Sequence, residues 1–92
     1  MGEKLWRVSY RICDSGHYAG LNNGYNRGKT IDIEAKTQSE ATRIAIWRVF
    51  KTAEAKYDFI LDYDLAGKEP FIQAQQGDEI YYIDSFFAIP QN

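Results

Sequence analysis

The 92-residue chain reads as one α+β domain spanning 1–92, a sheet of about five antiparallel strands with one helix packed on one face, in the order ββαβββ. Three observations predict this. Several segments alternate apolar and polar residues with the period of two that a half-buried strand requires, and clusters of Gly, Asn, Asp and Pro separate them. A single stretch free of Gly and Pro carries apolar residues at helical spacing behind a capping sequence. Apolar residues make up 45% of the chain and aromatics 15%, enough for a core, while the length suits one domain rather than two.

Residues 4–13 form the first strand. Trp6, Val8, Tyr10 and Ile12 point one way, and Arg7, Ser9 and Arg11 give the other side a basic character. Residues 14–28 are dense in turn formers and contain Asn23-Gly24, a strong hairpin dipeptide, so the stretch is either a long loop or a β-hairpin. Residues 29–36 alternate again, with Ile31, Ile33 and Ala35 inward and Thr30, Asp32, Glu34 and Lys36 outward. Thr37-Gln38-Ser39-Glu40 is a capping box, in which the Thr37 hydroxyl accepts from the Glu40 amide and the Glu40 carboxylate is expected to accept from the Thr37 amide. The helix it opens runs from Gln38 to about Lys56. Ala41, Ala45, Val49 and Ala53 make its core stripe, flanked by Ile46 and Phe50, and the small alanines let it lie close to a sheet.

Residues 57–63 read as a strand with Tyr57, Phe59, Leu61 and Tyr63 on one face, helix continuation through 57–61 being the alternative. Gly67 to Pro70 marks a turn, residues 71–75 a short strand, Gln76-Gly77-Asp78 a tight turn, and residues 79–89 a long aromatic strand ended by Pro90.

Charge divides the chain. Residues 1–51 hold nine Lys/Arg against five Asp/Glu, and residues 52–92 hold two Lys against eight Asp/Glu, so a net of −2 conceals a sequence dipole. Such asymmetry points to a charged partner. Cys13 is the single cysteine, which excludes an internal disulfide and fits a reducing compartment. The charged start of the chain lacks the apolar core of a signal peptide, and no apolar run approaches the roughly 20 residues of a membrane span. A cytoplasmic protein is expected.

Catalysis finds little support in the residue pattern. His17, the single histidine, lies close in sequence to Cys13, but nothing supplies a third orienting group or an oxyanion motif. Asp58, Asp62, Asp64, Glu69, Asp78, Glu79 and Asp84 form an acidic set without the spacing of a calcium loop. Gly16, Gly20, Gly24 and Gly28 recur every four residues without the Lys-Ser/Thr of a phosphate loop. No enzyme activity, cofactor or metal is therefore expected.

Binding is the better-supported class. Arg43, Trp47 and Lys51 fall at i, i+4 and i+8 on the helix side away from the core, with Arg48 beside them. An indole ringed by cations there has the composition of an interface hot spot, unless the 14–28 segment covers it or the helix is more deeply buried. Arg7, Arg11, Arg27, Lys29, Arg43 and Arg48 with Tyr10, Tyr18 and Tyr25 offer an alternative, a small nucleic-acid-binding module built on the basic strand and the Tyr/Asn/Gly-rich segment. A sequence pI of about 5.3 weighs against it.

The run Lys29-Thr30-Ile31-Asp32-Ile33-Glu34-Ala35-Lys36-Thr37-Gln38-Ser39-Glu40-Ala41, passing from a strand through a capping box into a helix, resembles a pattern of small phage α+β proteins, including type I anti-CRISPR inhibitors. The resemblance covers about a quarter of the chain and rests on a folding motif. It implies a stoichiometric inhibitor in the host cytoplasm that binds Cas proteins of an RNA-guided surveillance complex and keeps target DNA out. Under that reading Asp58, Asp62 and Asp84 mimic DNA by competing for phosphate-binding lysines. Arg43, Trp47, Arg48, Tyr18 and Tyr25 supply packing contacts.

Overall fold

In the computed structural model, which describes residues 2–14 and 26–91, five antiparallel strands form one sheet and a single helix crosses one of its faces. The strands are β1 (Lys4–Asp14), β2 (Asn26–Ala35), β3 (Phe59–Asp64), β4 (Phe71–Gln76) and β5 (Glu79–Gln91), in spatial order β2-β1-β5-β4-β3. The helix, α1 (Gln38–Lys56), joins the two edge strands β2 and β3. Four inter-strand intervals span about 19 Å, and a helix of this length reaches about 28 Å. One diagonal crossing therefore suffices.

The capping box starts α1 as expected in one half and differently in the other. Thr37 Oγ1 accepts from the Glu40 amide at 3.1 Å, but the Glu40 carboxylate accepts from the Lys36 amide, at 2.8 Å, rather than from Thr37. Gln38 Nε2 donates to the Ala88 carbonyl at 2.8 Å, tying the start of the helix to β5. The predicted stripe is buried in full: Ala41, Ala45, Ile46, Val49, Phe50 and Ala53.

Two clusters make the core. Trp6, Val8, Ile33, Ala35 and Ala88 of the sheet meet Ala41 and Ala45 of the helix, and the Trp6 indole donates to the Ala35 carbonyl at 3.0 Å. Val49, Phe50, Ala53 and Tyr57 meet Ile72, Ala74 and Ile83. Ile72 faces Ile83, which in turn faces Ile12, so one isoleucine row crosses three strands. Phe86 packs against both clusters.

Several boundaries differ from expectation. β2 begins at Asn26, three residues before the expected start, so residues 26–28 of the turn-rich stretch are strand. Residues 15–25 lie outside the described residues, and with them Tyr18, Tyr25, His17 and the choice between loop and hairpin. Tyr57 is neither strand nor helix continuation. It is the extended cap of α1, its amide donating to the Ala53 carbonyl at 2.9 Å and its ring buried against Tyr81. Phe59, Leu61 and Tyr63 do not share a face, because the β3–β4 register shifts between Ile60 and Asp62. Phe59 pairs with Gln75 on the side away from the helix, whereas Tyr63 turns toward the helix and meets Phe50. Pro90 does not end β5, which continues to Gln91. β4 pairs with β5 only up to Ile83, so Pro90 lies where one flank of β5 has no ladder to lose.

A second bulge lies in β5. Between Ser9/Phe87 and Arg11/Asp84 the strand β1 advances by two residues and β5 by three. Ser85 takes up the excess at a φ of 62°, left-handed backbone that disfavours a residue with a Cβ. The bulge keeps Phe86 in the core while Asp84 stands beside Arg11. Ser85→Gly is expected to be neutral or to stabilise by up to about 1 kcal/mol, strain relief being offset by the entropy of glycine. Ser85→Val is expected to destabilise by about 2 kcal/mol. Chemical denaturation of the two variants checks this, and Val matching Gly would contradict it.

The sheet face away from the helix holds paired charges. Arg7 Nε and Nη2 donate to the two Asp32 carboxylate oxygens at 3.0 and 3.4 Å, and Arg11 pairs with Asp84 in the same way at 3.1 and 3.2 Å. The hydrogen bond from Arg7 holds the Asp32 carboxyl below its ordinary range, aided by the guanidinium charge against the opposing effect of burial. A folded pKa below the unfolded one contributes stability above the ordinary aspartate value, lost as pH falls through the folded value. Both side chains are about half exposed, so the effect is small. Asp32→Asn is expected to flatten the acid limb of a plot of urea midpoint against pH. A loss of equal size at every pH would contradict this.

Candidate interaction surface

α1 positions the candidate residues because its buried stripe is narrow. With Ala45, Ile46, Val49 and Phe50 against the sheet, helical geometry turns Arg43, Trp47, Arg48 and Lys51 outward, and all four are exposed. Trp47 keeps 54% of its surface accessible. Its ring stacks on Phe50 with centroids 6.1 Å apart, and Lys51 Nζ lies 5.6 Å from the indole centroid. Lys51 also pairs with Glu54 at 3.2 Å. Phe50 in turn meets the ring of Tyr63, itself 54% exposed, at 4.9 Å.

The result is a continuous aromatic strip, Trp47–Phe50–Tyr63, running from the helix to edge strand β3. Its middle ring is buried and its two ends are open to solvent, with cations at the helical end and Asp62 and Asp64 flanking Tyr63 in β3. Aromatic pairs at these separations contribute about 0.5–1.5 kcal/mol beyond their buried area. The strip is thus held in shape before anything binds, which limits the ordering cost of association.

The remaining candidates are not brought to this strip. Asp84 lies on the face away from the helix in its pair with Arg11, and Ser85 Oγ donates to it at 3.2 Å. Asp58 precedes β3, and its Oδ2 accepts from the Gly77 amide at 2.9 Å, bracing the β4–β5 turn, where Gly77 has a φ of 60°. Asp62 pairs with Gln73 on the face away from the helix, and its Oδ1 accepts from the Tyr63 amide at 2.8 Å. All three proposed acidic contacts therefore have intramolecular partners. Arg7 and Arg11, the two arginines of β1, are likewise engaged by carboxylates.

Tyr63 is the member that sequence reasoning assigned to the wrong company. A signal was present, since Ile60 is apolar in a run whose alternation favours Phe59, Leu61 and Tyr63, and apolar residues of both parities mark a bulge.

No group of three or more His, Cys, Asp or Glu side chains among the described residues is gathered so as to hold a metal ion. No helix among them is long and apolar enough to cross a membrane. Cys13 is buried in β1, paired in register with Tyr82 of β5. No protein-family model, curated protein or solved structure matches the chain.

Proposed function

We propose that the chain is a non-enzymatic binding protein that engages a protein surface through the outer face of α1, with Trp47 as its anchor and Arg43, Arg48, Lys51 and Tyr63 around it. The observation that carries the reading is the pre-formed Trp47–Phe50–Tyr63 strip, two of whose three rings are half exposed. Trp, Tyr and Arg are the residue types in which binding energy concentrates. A protein partner suits the strip better than a nucleic acid. The indole already carries Phe50 and the Lys51 ammonium against its ring, so a stacking base would have to displace one of them.

The helix face is favoured over the acidic one because Asp58, Asp62 and Asp84 all have partners within the chain. As to the partner, the strand-to-helix resemblance of residues 29–41 to phage anti-CRISPR inhibitors makes a type I RNA-guided surveillance complex the first to try. Under that proposal the chain blocks target-DNA binding by occupying protein surface, with no turnover. In a mobility-shift assay, DNA binding by the complex is expected to fall as one equivalent of the chain is added. Asp62→Lys should inhibit as well as the parent. DNA binding that persists in the presence of excess chain would remove the surveillance complex as partner.

A further inference from the structure

A groove of about 510 Å³ runs beside the aromatic strip, bounded by the first half of α1, by the turn that follows β3, and by β5. This falls within the roughly 300–1,000 Å³ of sites that hold a compact ligand or a few side chains. Ile46, Leu65 and Phe86 give it an apolar lining, and Arg43 and Lys68 bring two cations to it from different elements. The chain as a whole has more Asp and Glu than Lys and Arg, yet no carboxylate lines this groove. Among the described residues neither Arg43 nor Lys68 takes part in an ion pair.

The walls are held by contacts that leave those cations free. Asp64 Oδ1 accepts from the amides of Ala66 and Gly67 at 3.1 and 2.9 Å, fixing the turn that presents Lys68. On the helix side, Thr42 Oγ1 donates to the Gln38 carbonyl at 2.9 Å and Gln38 Nε2 donates to Ala88. The Gln38 and Thr42 side chains and the Ala66 and Gly67 amides are thereby engaged within the fold, and the two cations are the charged groups offered to an occupant.

We infer that this groove receives an acidic segment of the protein partner, one or two carboxylates on Arg43 and Lys68 with a neighbouring apolar side chain against Ile46, Leu65 and Phe86. The inference rests on the reading of α1 as a protein-binding face. Arg43 lies one helical turn before Trp47, so a chain anchored on the indole passes directly to the groove. A peptide is favoured over a free small anion because the groove is open to solvent. A small ligand would leave much of its surface in water there, whereas a tethered segment arrives at high local concentration.

An NMR titration of the isotope-labelled chain tests this. The probes are an acetylated, amidated peptide of alternating glutamate and leucine, its glutamine counterpart, and a short oligothymidylate. The glutamate peptide is expected to shift the amides of Thr42, Ile46, Leu65 and Lys68, with the glutamine peptide at least about tenfold weaker, since a charged contact contributes on the order of a factor of ten. Arg43→Gln with Lys68→Gln, both exposed positions, should weaken the glutamate peptide to the level of its counterpart while the remaining amide spectrum shows an intact fold. Equal affinity of the two peptides, shifts confined to other residues, or stronger shifts of the same amides by the oligothymidylate would each overturn the inference. The two readings fail separately. Peptide binding in the groove by a Trp47→Ala chain that still captures its partner overturns the Trp47 surface alone. Absence of peptide binding, with partner capture lost in Trp47→Ala, overturns the groove alone.

Discussion

Trp47→Ala is expected to weaken partner binding by at least about 2 kcal/mol, roughly a thirtyfold loss, while leaving the fold in place. The two effects separate because of where the indole lies. More than half of its surface is open, and among the described residues its ring meets Phe50 and the Lys51 ammonium. Losing the stack on Phe50 costs about 0.5–1.5 kcal/mol of stability. Phe50 keeps its place, since Tyr63 and the second core cluster hold it from the other side. Calorimetric titration of the partner with parent and variant reads the binding term, and urea denaturation reads the stability term. Trp47→Phe should recover part of the binding by restoring a ring on the strip, without the indole's larger face.

The largest effect on stability is expected at the other tryptophan. Trp6 is 7% exposed, and around it stand Ala35, Ala41, Ala45 and Ala88, residues with no side-chain length to collapse into a void. Trp6→Ala should therefore cost about 3–5 kcal/mol, a large fraction of the stability of a domain this size. Trp6→Phe fills most of the volume but leaves the Ala35 carbonyl without the indole N–H, and is expected to cost about 1–3 kcal/mol. Thermal or urea unfolding checks both. Near-parental stability in Trp6→Ala would mean that the first core cluster does not hold the helix to the sheet.

The contrast between the two tryptophans shows what could be read from the residues alone. Trp6 sits in a strict alternation with Val8 and Tyr10, so its burial followed from periodicity. Trp47 falls outside a helical stripe of Ala41, Ala45, Val49 and Ala53, which placed it off the core side and left open whether another segment covers it. The helix start followed from Thr37 and Glu40. What alternation does not carry is its own interruption. The extra residue at Ser85 and the shift at Leu61 each change the face of every side chain beyond them, and it is the second of these that sends Tyr63 to Phe50.

Long-range pairing was equally hidden. The basic first half and acidic second half of the chain meet in the β1–β5 ladder, where Arg11 takes up Asp84, and the short Arg7–Asp32 pair removes two more charges. The sequence dipole is thus partly neutralised on one sheet face. Among the described residues, accessible positive charge survives on the helix beside Trp47, at Lys68, and at Lys4, Lys29 and Lys36. No local pattern could have joined Lys68 to Arg43, because the groove exists only once α1 has crossed from β2 to β3.

The central claim is that Trp47 is the binding anchor, and the two tryptophans permit a direct test of it. A chain labelled with 5-fluorotryptophan gives two fluorine resonances, one from buried Trp6 and one from exposed Trp47, assigned by Trp47→Phe. On saturation with the bound partner, the Trp47 resonance is expected to shift and to lose its solvent isotope effect while the Trp6 resonance stays where it was. A Trp47 resonance that keeps both its position and its solvent isotope effect in the saturated complex would contradict the account.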